Sequence, residues 1–292
     1  MIPNNVTAIV VTFHPDSDVL ENLSKLRKQV QSVVVVDNGS RPESLVPLRA
    51  ASLRLGIRLI ENGENLGVAT ALNVGIRHAQ IAGADWVFLF DQDSIVTPGF
   101  TEAMLQGFAA SRWKDRLGIL VPHYIDKRLG SPLSVIGVKG GELEGAITSG
   151  SLLPMSVVRD NGCFEDCLFI DAVDFEYSLR LRSRGLHIEE CSQAVLLHSP
   201  GTPKLHRFRG RYLFQSNNYS PTRRYYQQRN NIWIARRYWT IFPLFCFNLF
   251  FTSLKDCVKI LIAEDDKWTK LQAGFMGIVD GIRERMGRKE MS

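Results

Sequence analysis

The sequence predicts an α/β fold with an open, doubly wound and mostly parallel sheet. Short apolar runs rich in β-branched residues alternate with segments whose apolar residues recur at helical spacing, which is typical of parallel sheets. The strand-like runs are 6–13, 33–37, 57–60 and 86–90, and the helix-like segments between them are 18–31, 43–55 and 68–82. Ligands of such sheets bind beyond the carboxyl ends of the strands, so we expect the site there.

The pattern is less regular after Asp93. Residues 98–112 and 174–184 have helical spacing, 117–122 and 194–198 are strand-like, and the Gly-rich segment 126–147 follows neither pattern. We expect one main domain and a helical C-terminal region. The expected limits are 1–222 for the main domain, with a first half at 1–95 and a second half at 96–222, and 223–292 for the C-terminal region.

Composition places the chain among ordinary globular proteins. It has 292 residues, of which 45% are apolar and 22% charged, so it can bury a core. The five cysteines lack a paired Cys-x-x-Cys motif, so we expect reduced, buried thiols rather than a zinc site at Cys163, Cys167 and Cys191. The first residues have none of the features of an export signal, which favours a cytoplasmic location.

Basic charge is concentrated in the second half of the chain. The segment 191–255 contains ten Lys and Arg residues and no Asp or Glu, so it should attract an anionic surface or ligand. It includes the apolar stretch 239–254, whose sixteen residues are short for a bilayer span. We expect this stretch to lie on a membrane face or to pack against the protein, and it is equally suited to a dimer interface.

Two carboxylates follow the most apolar strand-like run. In FDQDS, Asp91 and Asp93 come directly after WVFLF, and residues i and i+2 of an extended chain point to one side. They can therefore bind one divalent cation, or a cation and a ribose. A solvated Asp-rich turn is the alternative, but two carboxylates at the end of a buried strand favour a compensating cation.

Two further turns lie at the same predicted edge. Asp37 ends the strand VVVVD before Asn-Gly-Ser, where its carboxylate could bond the base or ribose of a nucleotide; an Asx turn is the alternative. Asn65 and Gly67 precede a helix, and the first turn of a helix offers free N–H groups to an anion.

Together these segments resemble glycosyltransferase family 2. VVTF, VVVVDNGS, ENLGVATALNVGI, FDQDS and IDAVDFEYSLRLRSRG occur in the order of that family, over about residues 6–235. The FDQDS form and the later segment RRYYQQRNN are most similar to bacterial rhamnosyltransferases that assemble surface polysaccharide. The resemblance implies a GT-A fold with a Rossmann-like sheet, Mg²⁺ or Mn²⁺, and a dTDP- or UDP-linked sugar donor. It also implies that 1–222 is the catalytic domain, with a nucleotide-binding half at 1–95 and an acceptor-binding half at 96–222.

The resemblance also implies roles for single residues. The implied donor-binding residues are Thr12, Asp37, Asn65, Gly67, Asp91 and Arg229, and the implied metal ligands are Asp91, Asp93 and His198. Thr12 and Asp37 would hold the base and ribose, and Arg229 would hold the leaving diphosphate, because a guanidinium bonds two phosphate oxygens. A neutral imidazole at His198 suits a divalent cation. A buried structural histidine and a solvated basic helix are the alternatives for His198 and Arg229.

The base and the acceptor pocket follow from the same comparison. The family places its base in an acidic pair, often Glu-Asp, ahead of a helix, and this sequence reads Val173-Asp174. Asp174 is therefore the expected base, with Glu176 and Asp171 as substitutes and a helix N-cap as the structural alternative. Ser149 and Gly150, in TSGSL, would border the acceptor pocket.

These roles imply an inverting transferase that moves L-rhamnose from dTDP-rhamnose onto a hydroxyl of a lipid-linked glycan, bound peripherally to the inner face of the cell membrane. A UDP-hexose donor is one alternative, and a noncatalytic module that binds membrane or nucleic acid through 191–255 is another. We expect no nucleic acid partner. A nucleotidyltransferase or nicotinamide enzyme would need a Gly-rich phosphate loop after the first strand, where this chain has His14-Pro15-Asp16.

Overall fold

The computed structural model describes residues 5–133, 138–139, 142–198, 204–208 and 211–290, and it contains the predicted alternation of strands and helices. Its contacts divide the chain into two compact units. Among the described residues, the first unit lies within Met1–Asp166 and Asp174–Ser199, and the second within Cys167–Val173 and Pro200–Ser292. The functional limits expected at 95 and 222 stay predictions.

The secondary structure is as follows. The strands are β1 Val6–Thr12, β2 Ser32–Asp37, β3 Arg58–Glu61, β4 Trp86–Asp91, β5 Ile95–Val96, β6 Leu117–Asp126, β7 Val138–Lys139, β8 Glu142–Leu143, β9 Ser151–Pro154, β10 His187–His198, β11 Lys204–Phe208 and β12 Arg211–Ser216. The helices are α1 Asp18–Arg27, α2 Pro42–Leu55, α3 Val68–Ile81, α4 Phe100–Ala110, α5 Met155–Asn161, α6 Val173–Ser183, α7 Pro221–Tyr238, α8 Pro243–Ala263 and α9 Lys267–Ile282.

The first unit is built on an eight-stranded sheet in the order β3-β2-β1-β4-β9-β6-β10-β5. The pairs β1–β2, β1–β4, β2–β3 and β6–β10 are parallel, whereas β9 and β5 run antiparallel to their neighbours. The prediction of a mostly parallel sheet is confirmed. The carboxyl ends of β1, β2, β4, β6 and β10 therefore meet at one edge, where ligands of such sheets bind.

A glycine brings α3 close to the centre of this sheet. A Cβ at Gly75 would lie 2.4 Å from Cγ2 of Ile9 on β1 and 3.3 Å from Cγ2 of Val36 on β2. Ile9 and Val36 are fully buried. Because α3 packs this closely, its N-terminus is held beside the ends of β1 and β2.

The second unit contains the β11–β12 hairpin and helices α7, α8 and α9. α7 begins at Pro221 after Ser220, whose hydroxyl accepts a hydrogen bond from the Arg223 N–H. α7 and α9 approach closely because α9 carries glycines at the contact: a Cβ at Gly277 would lie 2.2 Å from the Tyr225 carbonyl oxygen. At Gly281 it would lie 2.7 Å from the Arg229 carbonyl oxygen.

Helix α8 contains most of the apolar stretch 239–254 and extends beyond it. Of its 21 residues only Cys246 and Ile260 are buried. Its exposed apolar residues recur at helical spacing, at Leu244, Phe247, Phe251, Leu254, Val258 and Leu261. Among the described residues, no helix combines the length and apolar character needed to cross a membrane.

Candidate active site and metal centre

The structure brings together the three predicted metal ligands. A ligand atom of Asp91, one of Asp93 and one of His198 all lie within 4.8 Å of one another. Asp93 is exposed, Asp91 is half-buried and His198 is buried. Two carboxylate oxygens and an imidazole nitrogen form a donor set that fits Mn²⁺ or Mg²⁺.

The short strand β5 explains how distant residues meet here. Asp91 ends β4, and a turn leads from it to β5, which pairs antiparallel with the end of β10. The register pairs Ile95 with Leu197 and Val96 with Leu196. The pairing therefore holds the turn that contains Asp93 beside His198, the last residue of β10.

A chain of hydroxyl groups supports the cluster. The Ser94 Oγ lies 3.2 Å from His198 Nδ1 and 2.6 Å from Ser149 Oγ, and both serines are buried. The Ser149 Oγ in turn accepts a hydrogen bond of 3.1 Å from the Asp91 main-chain N–H. Since Nδ1 of His198 is engaged by Ser94, the other ring nitrogen, Nε2, is the one suited to a metal.

The assignment of Ser149 and Gly150 to the acceptor pocket needs correction. Ser149 is fully buried, so its hydroxyl supports the metal cluster and is not a surface for an acceptor. Gly150 has φ of 79°, and a Cβ there would lie 2.7 Å from the Pro122 side chain. Both residues shape the turn into β9.

Tyr124 binds the same turn, and its pKa is affected by two carboxylates of the site. Its hydroxyl donates a 2.8 Å hydrogen bond to the Ser149 carbonyl. Burial raises the pKa of Tyr124 well above its ordinary value, and the nearby carboxylates of Asp91 and Asp174 raise it further. Tyr124 therefore stays a hydrogen-bond donor, and Asp91 and Asp174 both lie close enough to act on it.

Asp174 lies in the first turn of α6, and its role as the base stays a prediction. It is the second residue of α6, and its Oδ1 accepts a hydrogen bond from the Phe175 N–H in the first turn of the helix. It lines a small cavity together with Leu89 and Thr148. Leu89 lies two residues before Asp91 on β4, and the carboxylates of Asp91 and Asp174 both act on Tyr124.

The two substitutes for Asp174 are engaged elsewhere. Glu176 is fully buried and forms an ion pair of 2.9 Å with Arg180. Asp171 accepts from the Arg223 guanidinium through both carboxylate oxygens, at 3.0 to 3.2 Å. Neither carboxylate is as suited as Asp174 to receive a proton from a substrate.

On the donor side, Asp37 organises its own turn. Its carboxylate accepts hydrogen bonds from the Gly39 N–H at 3.1 Å and from the Ser40 N–H at 2.8 Å. It also accepts from the hydroxyl of Thr12 at 3.1 Å and from that of Ser40 at 2.5 Å. The Asx turn is therefore present. Thr12 and Asp37 are both buried, and Thr12 orients Asp37. The contacts expected for both with the base and ribose stay predictions.

The Asn65 turn is tied to the Asp37 turn. The Asn65 Oδ1 accepts hydrogen bonds from the Asn38 side-chain amide and from the Gly67 N–H, both 3.0 Å. The Asn38 Oδ1 accepts from the Leu66 N–H at 3.1 Å. Gly67 has φ of 88° and precedes the first residue of α3. The Asp37 turn and the Asn65 turn, which were predicted separately, are thus joined by hydrogen bonds at the sheet edge.

The direct diphosphate contact predicted for Arg229 is not supported, because this side chain is fully buried in the second unit. Its guanidinium donates to the main-chain oxygens of Gly287, Cys167 and Leu168 and to the Asn230 side chain. The alternative of a solvated basic helix is also wrong for this residue. The Arg229 guanidinium therefore binds main-chain carbonyl oxygens of the protein.

Comparison with known proteins identifies this arrangement. The sequence profile described as "Glycosyl transferase family 2" matches residues 7–128, which contain the Asp37 turn, the Asn65 turn and FDQDS. Over these residues the chain is similar to glycosyltransferase family 2. Its enzymatic class is therefore that of a glycosyltransferase, as the motifs indicated.

Similarity to other glycosyltransferases extends over most of the chain. It is similar to the dTDP-rhamnosyl transferase RfbF of Shigella flexneri, with 27% identity over 296 residues that cover 96% of each chain. The solved mannosyltransferase PcManGT from Pyrobaculum calidifontis, in complex with GDP-Man and Mn²⁺, has a TM-score of 0.59, 15% identity, and 96% and 88% coverage of the two chains.

TarS of S. aureus in complex with UDP-GlcNAc is similar to the same degree. Its TM-score is 0.59 and its identity 15%, with 96% of this chain and 82% of TarS covered. These structures confirm the GT-A fold expected for a family 2 glycosyltransferase.

Several residues that support the site were not predicted from the sequence. Ser94 and Gln92 lie inside FDQDS, and the Gln92 side chain accepts a 2.8 Å hydrogen bond from the Phe13 N–H after β1. Asn38 lies inside the Asp37 turn, whereas Tyr124 lies in β6 with no local motif around it. For Ser94, Gln92 and Asn38, the available signal was their position beside an acidic residue of a motif.

Proposed function

We propose that this glycosyltransferase moves L-rhamnose from dTDP-rhamnose to a hydroxyl group of a lipid-linked glycan, with inversion at the sugar carbon. One observation carries the donor assignment: the match to a dTDP-rhamnosyl transferase extends over 96% of both chains. The cluster of Asp91, Asp93 and His198 at the ligand edge supports the chemistry.

In the proposed mechanism, Asp174 receives the proton of the acceptor hydroxyl while the acceptor oxygen attacks the anomeric carbon. A carboxylate is a much weaker base than an alkoxide, so proton transfer accompanies attack. The bond from the sugar to the diphosphate breaks on the opposite face, which gives inversion, and dTDP leaves. A divalent ion held by Asp91, Asp93 and His198 would supply charge neutralisation at the diphosphate.

The donor side of the proposal depends on the two connected turns. Asp37 is buried and shapes its turn, which would border the ribose or base, while the Asn65 turn and the first N–H groups of α3 lie beside that turn. A helix N-terminus favours an anion, so the charged part of the donor and the uncharged nucleoside meet different surfaces. This division is suited to a nucleotide-linked sugar.

The test is donor turnover by the purified protein with Mn²⁺ and a panel containing dTDP-rhamnose and UDP-hexoses, measured as release of nucleoside diphosphate. We expect turnover of dTDP-rhamnose, loss of turnover on chelation, and recovery when Mn²⁺ is restored. Asp93→Ala should lower the rate by at least about a hundredfold, because the metal ion would no longer be held to neutralise the negative charge on the leaving diphosphate. The exposed Asp115, in the turn before β6, offers a control as Asp115→Ala.

Two results would change the proposal. Turnover of a UDP-hexose but not of dTDP-rhamnose would keep the transferase and replace the donor. If no donor is consumed and no nucleotide raises the melting temperature in Mn²⁺, the alternative of a noncatalytic binding module is favoured.

We further propose that α8 attaches the enzyme to the anionic inner face of the cell membrane, with Mg²⁺ or Mn²⁺ serving the active site. The exposed fractions of Leu244, Phe247 and Leu254 are 76%, 50% and 52%, although apolar side chains of this size are usually buried. Lys255 and Arg237 are exposed on α8 and α7. An apolar helix face with nearby cations suits a bilayer surface that carries acidic lipids, where a lipid-linked acceptor would be found.

A further inference from the structure

The loop before α6 has an uncommon backbone. Phe169, Asp171 and Ala172 have φ of 65°, 62° and 62°, in the left-handed region that non-glycine residues rarely adopt. Such a conformation persists when surrounding contacts hold it. The loop leads directly into α6, whose second residue is Asp174. Its course therefore determines how the chain enters the helix that carries the proposed base.

Asn230 on α7 makes the most extensive contact with this loop. Its side-chain Nδ2 lies 3.0 Å from the Leu168 carbonyl oxygen, 2.8 Å from that of Ile170 and 2.8 Å from that of Asp171. Asn230 is fully buried. One amide group thus fixes the direction of three carbonyls around the left-handed residues.

Two arginines of α7 complete the contact. The Arg229 Nη2 donates to the Cys167 carbonyl at 3.1 Å and to the Leu168 carbonyl at 2.9 Å. Its Nε donates to the Asn230 Oδ1 at 3.0 Å, which orients the Asn230 amide. Arg223 holds the Asp171 carboxylate through both oxygens.

The start of the loop is anchored separately, within the first unit. The Asp166 Oδ1 accepts hydrogen bonds of 2.8 Å from the Thr70 hydroxyl and from the Asn73 amide of α3. The chain is therefore bound to α3 immediately before residue 167.

We propose that Arg223, Arg229 and Asn230 form a cradle that positions Asp174 for catalysis through the loop 167–172. The three side chains are positioning residues: their hydrogen bonds end on the loop backbone and on Asp171, and the loop transmits their effect along the chain to the first turn of α6. The inference rests on the proposed function, in which Asp174 is the base. It also gives the RRYYQQRNN segment a role other than binding phosphate.

The first test is Asn230→Ala, with Asn231→Ala as its matched control. Asn231 is the next residue of α7, but its amide donates to the Ser253 hydroxyl and not to the loop. We expect Asn230→Ala to lower kcat for transfer about tenfold to a hundredfold, because a base displaced by about 1 Å is a poor proton acceptor. The KM for the donor and the Kd for dTDP with Mn²⁺ should stay unchanged, and Asn231→Ala should change neither kcat nor KM.

A milder variant covers the case in which Asn230→Ala does not fold. The Arg223 side chain is 43% exposed, so Arg223→Gln should leave the melting temperature nearly unchanged while kcat falls. Arg223→Lys keeps a cation beside Asp171 and should recover part of the lost rate.

The decisive test combines the cradle with the base. Asp174→Asn alone should lower kcat by about 10² to 10⁴, and in that background Asn230→Ala should have no further effect. If the two substitutions instead lower kcat by factors that multiply, Asn230 has a general structural role and the cradle proposal is overturned. If Asp174→Asn leaves kcat unchanged, the assigned base fails and the cradle fails with it. If Asp174→Asn abolishes transfer but neither Asn230→Ala nor Arg223→Gln changes kcat, only the cradle fails.

Discussion

At the scale of single residues, Ser94 connects the metal ligands to the turn that precedes β9. Its hydroxyl bridges His198 Nδ1 and the Ser149 hydroxyl. Partners of this kind orient a metal-binding imidazole, and their loss typically lowers metal affinity 10 to 100-fold. We expect Ser94→Ala to weaken Mn²⁺ binding by about this factor, measured by titration of Mn²⁺ in the presence of dTDP.

Ser52 supplies the control for this substitution. It is also a buried serine, on α2, and its hydroxyl makes no hydrogen bond among the described residues. Ser52→Ala should therefore leave Mn²⁺ binding unchanged. Equal affinities in Ser94→Ala and wild type would mean that His198 needs no support from Ser94, and the assignment of Nε2 as the metal-binding nitrogen would lose its basis.

Residue chemistry was easier to predict than residue burial. Asp91 and Asp93 were predicted as metal ligands from their pattern and His198 from the family resemblance, and the three lie together. Thr12, Ser149 and Arg229 were expected to touch substrates, yet all three are fully buried. The hydrogen-bond partners of Thr12 and Ser149 lie 25 or more residues away in the sequence. No local pattern indicates such a contact.

At the scale of elements, the parallel strands were predictable and the antiparallel ones were not. β1, β2, β3 and β4 coincide closely with the apolar runs of the sequence. β5 has two residues and β9 four, so neither is long enough to show a period. Both are nevertheless central to the site, since β5 brings Asp93 to His198 and β9 follows the Ser149 turn.

The contact between α7 and α9 gives a prediction for an element. Gly277→Ala would place a Cβ 2.2 Å from the Tyr225 carbonyl oxygen, and the main chain of α7 cannot move away as a flexible side chain could. Overpacking of this kind typically costs about 1–3 kcal/mol. We expect a corresponding loss in the free energy of unfolding, measured by urea denaturation.

The matched substitution is Gly274→Ala, one turn earlier on the same helix. A Cβ there would be 3.4 Å from Cγ of Gln228, an ordinary contact, and alanine favours the helix by about 1 kcal/mol relative to glycine. Gly274→Ala should therefore be neutral or stabilising. Equal stability of the two variants would show that α7 and α9 are not packed as closely as described.

At the scale of the whole molecule, sequence reasoning predicted a C-terminal helical region but not how the units divide the chain. The segment Cys167–Val173 belongs to the second unit although it lies between two parts of the first. This follows from Arg223, Arg229 and Asn230, whose hydrogen bonds join the segment to α7. Long-range hydrogen bonds to main-chain carbonyls leave no periodic signal in a sequence.

The exposed face of α8 gives the prediction that belongs to the whole molecule. Replacing Phe250, which is 63% exposed, with glutamate adds a charge that opposes burial in a lipid interface and repels acidic headgroups. We expect Phe250→Glu to lower the fraction of protein that sediments with anionic liposomes. Donor hydrolysis in solution should stay unchanged, because the metal cluster lies in the first unit.

Leu53 provides the control for surface apolarity in general. It lies on α2 of the first unit and is 87% exposed, so Leu53→Glu makes the same kind of change away from α8. Leu53→Glu should bind liposomes as the wild type does. Unchanged sedimentation of Phe250→Glu would exclude α8 as the membrane surface. If Phe250→Glu instead converts a dimer to a monomer in light scattering, with liposome binding unaltered, then the apolar face of α8 joins two copies of the chain.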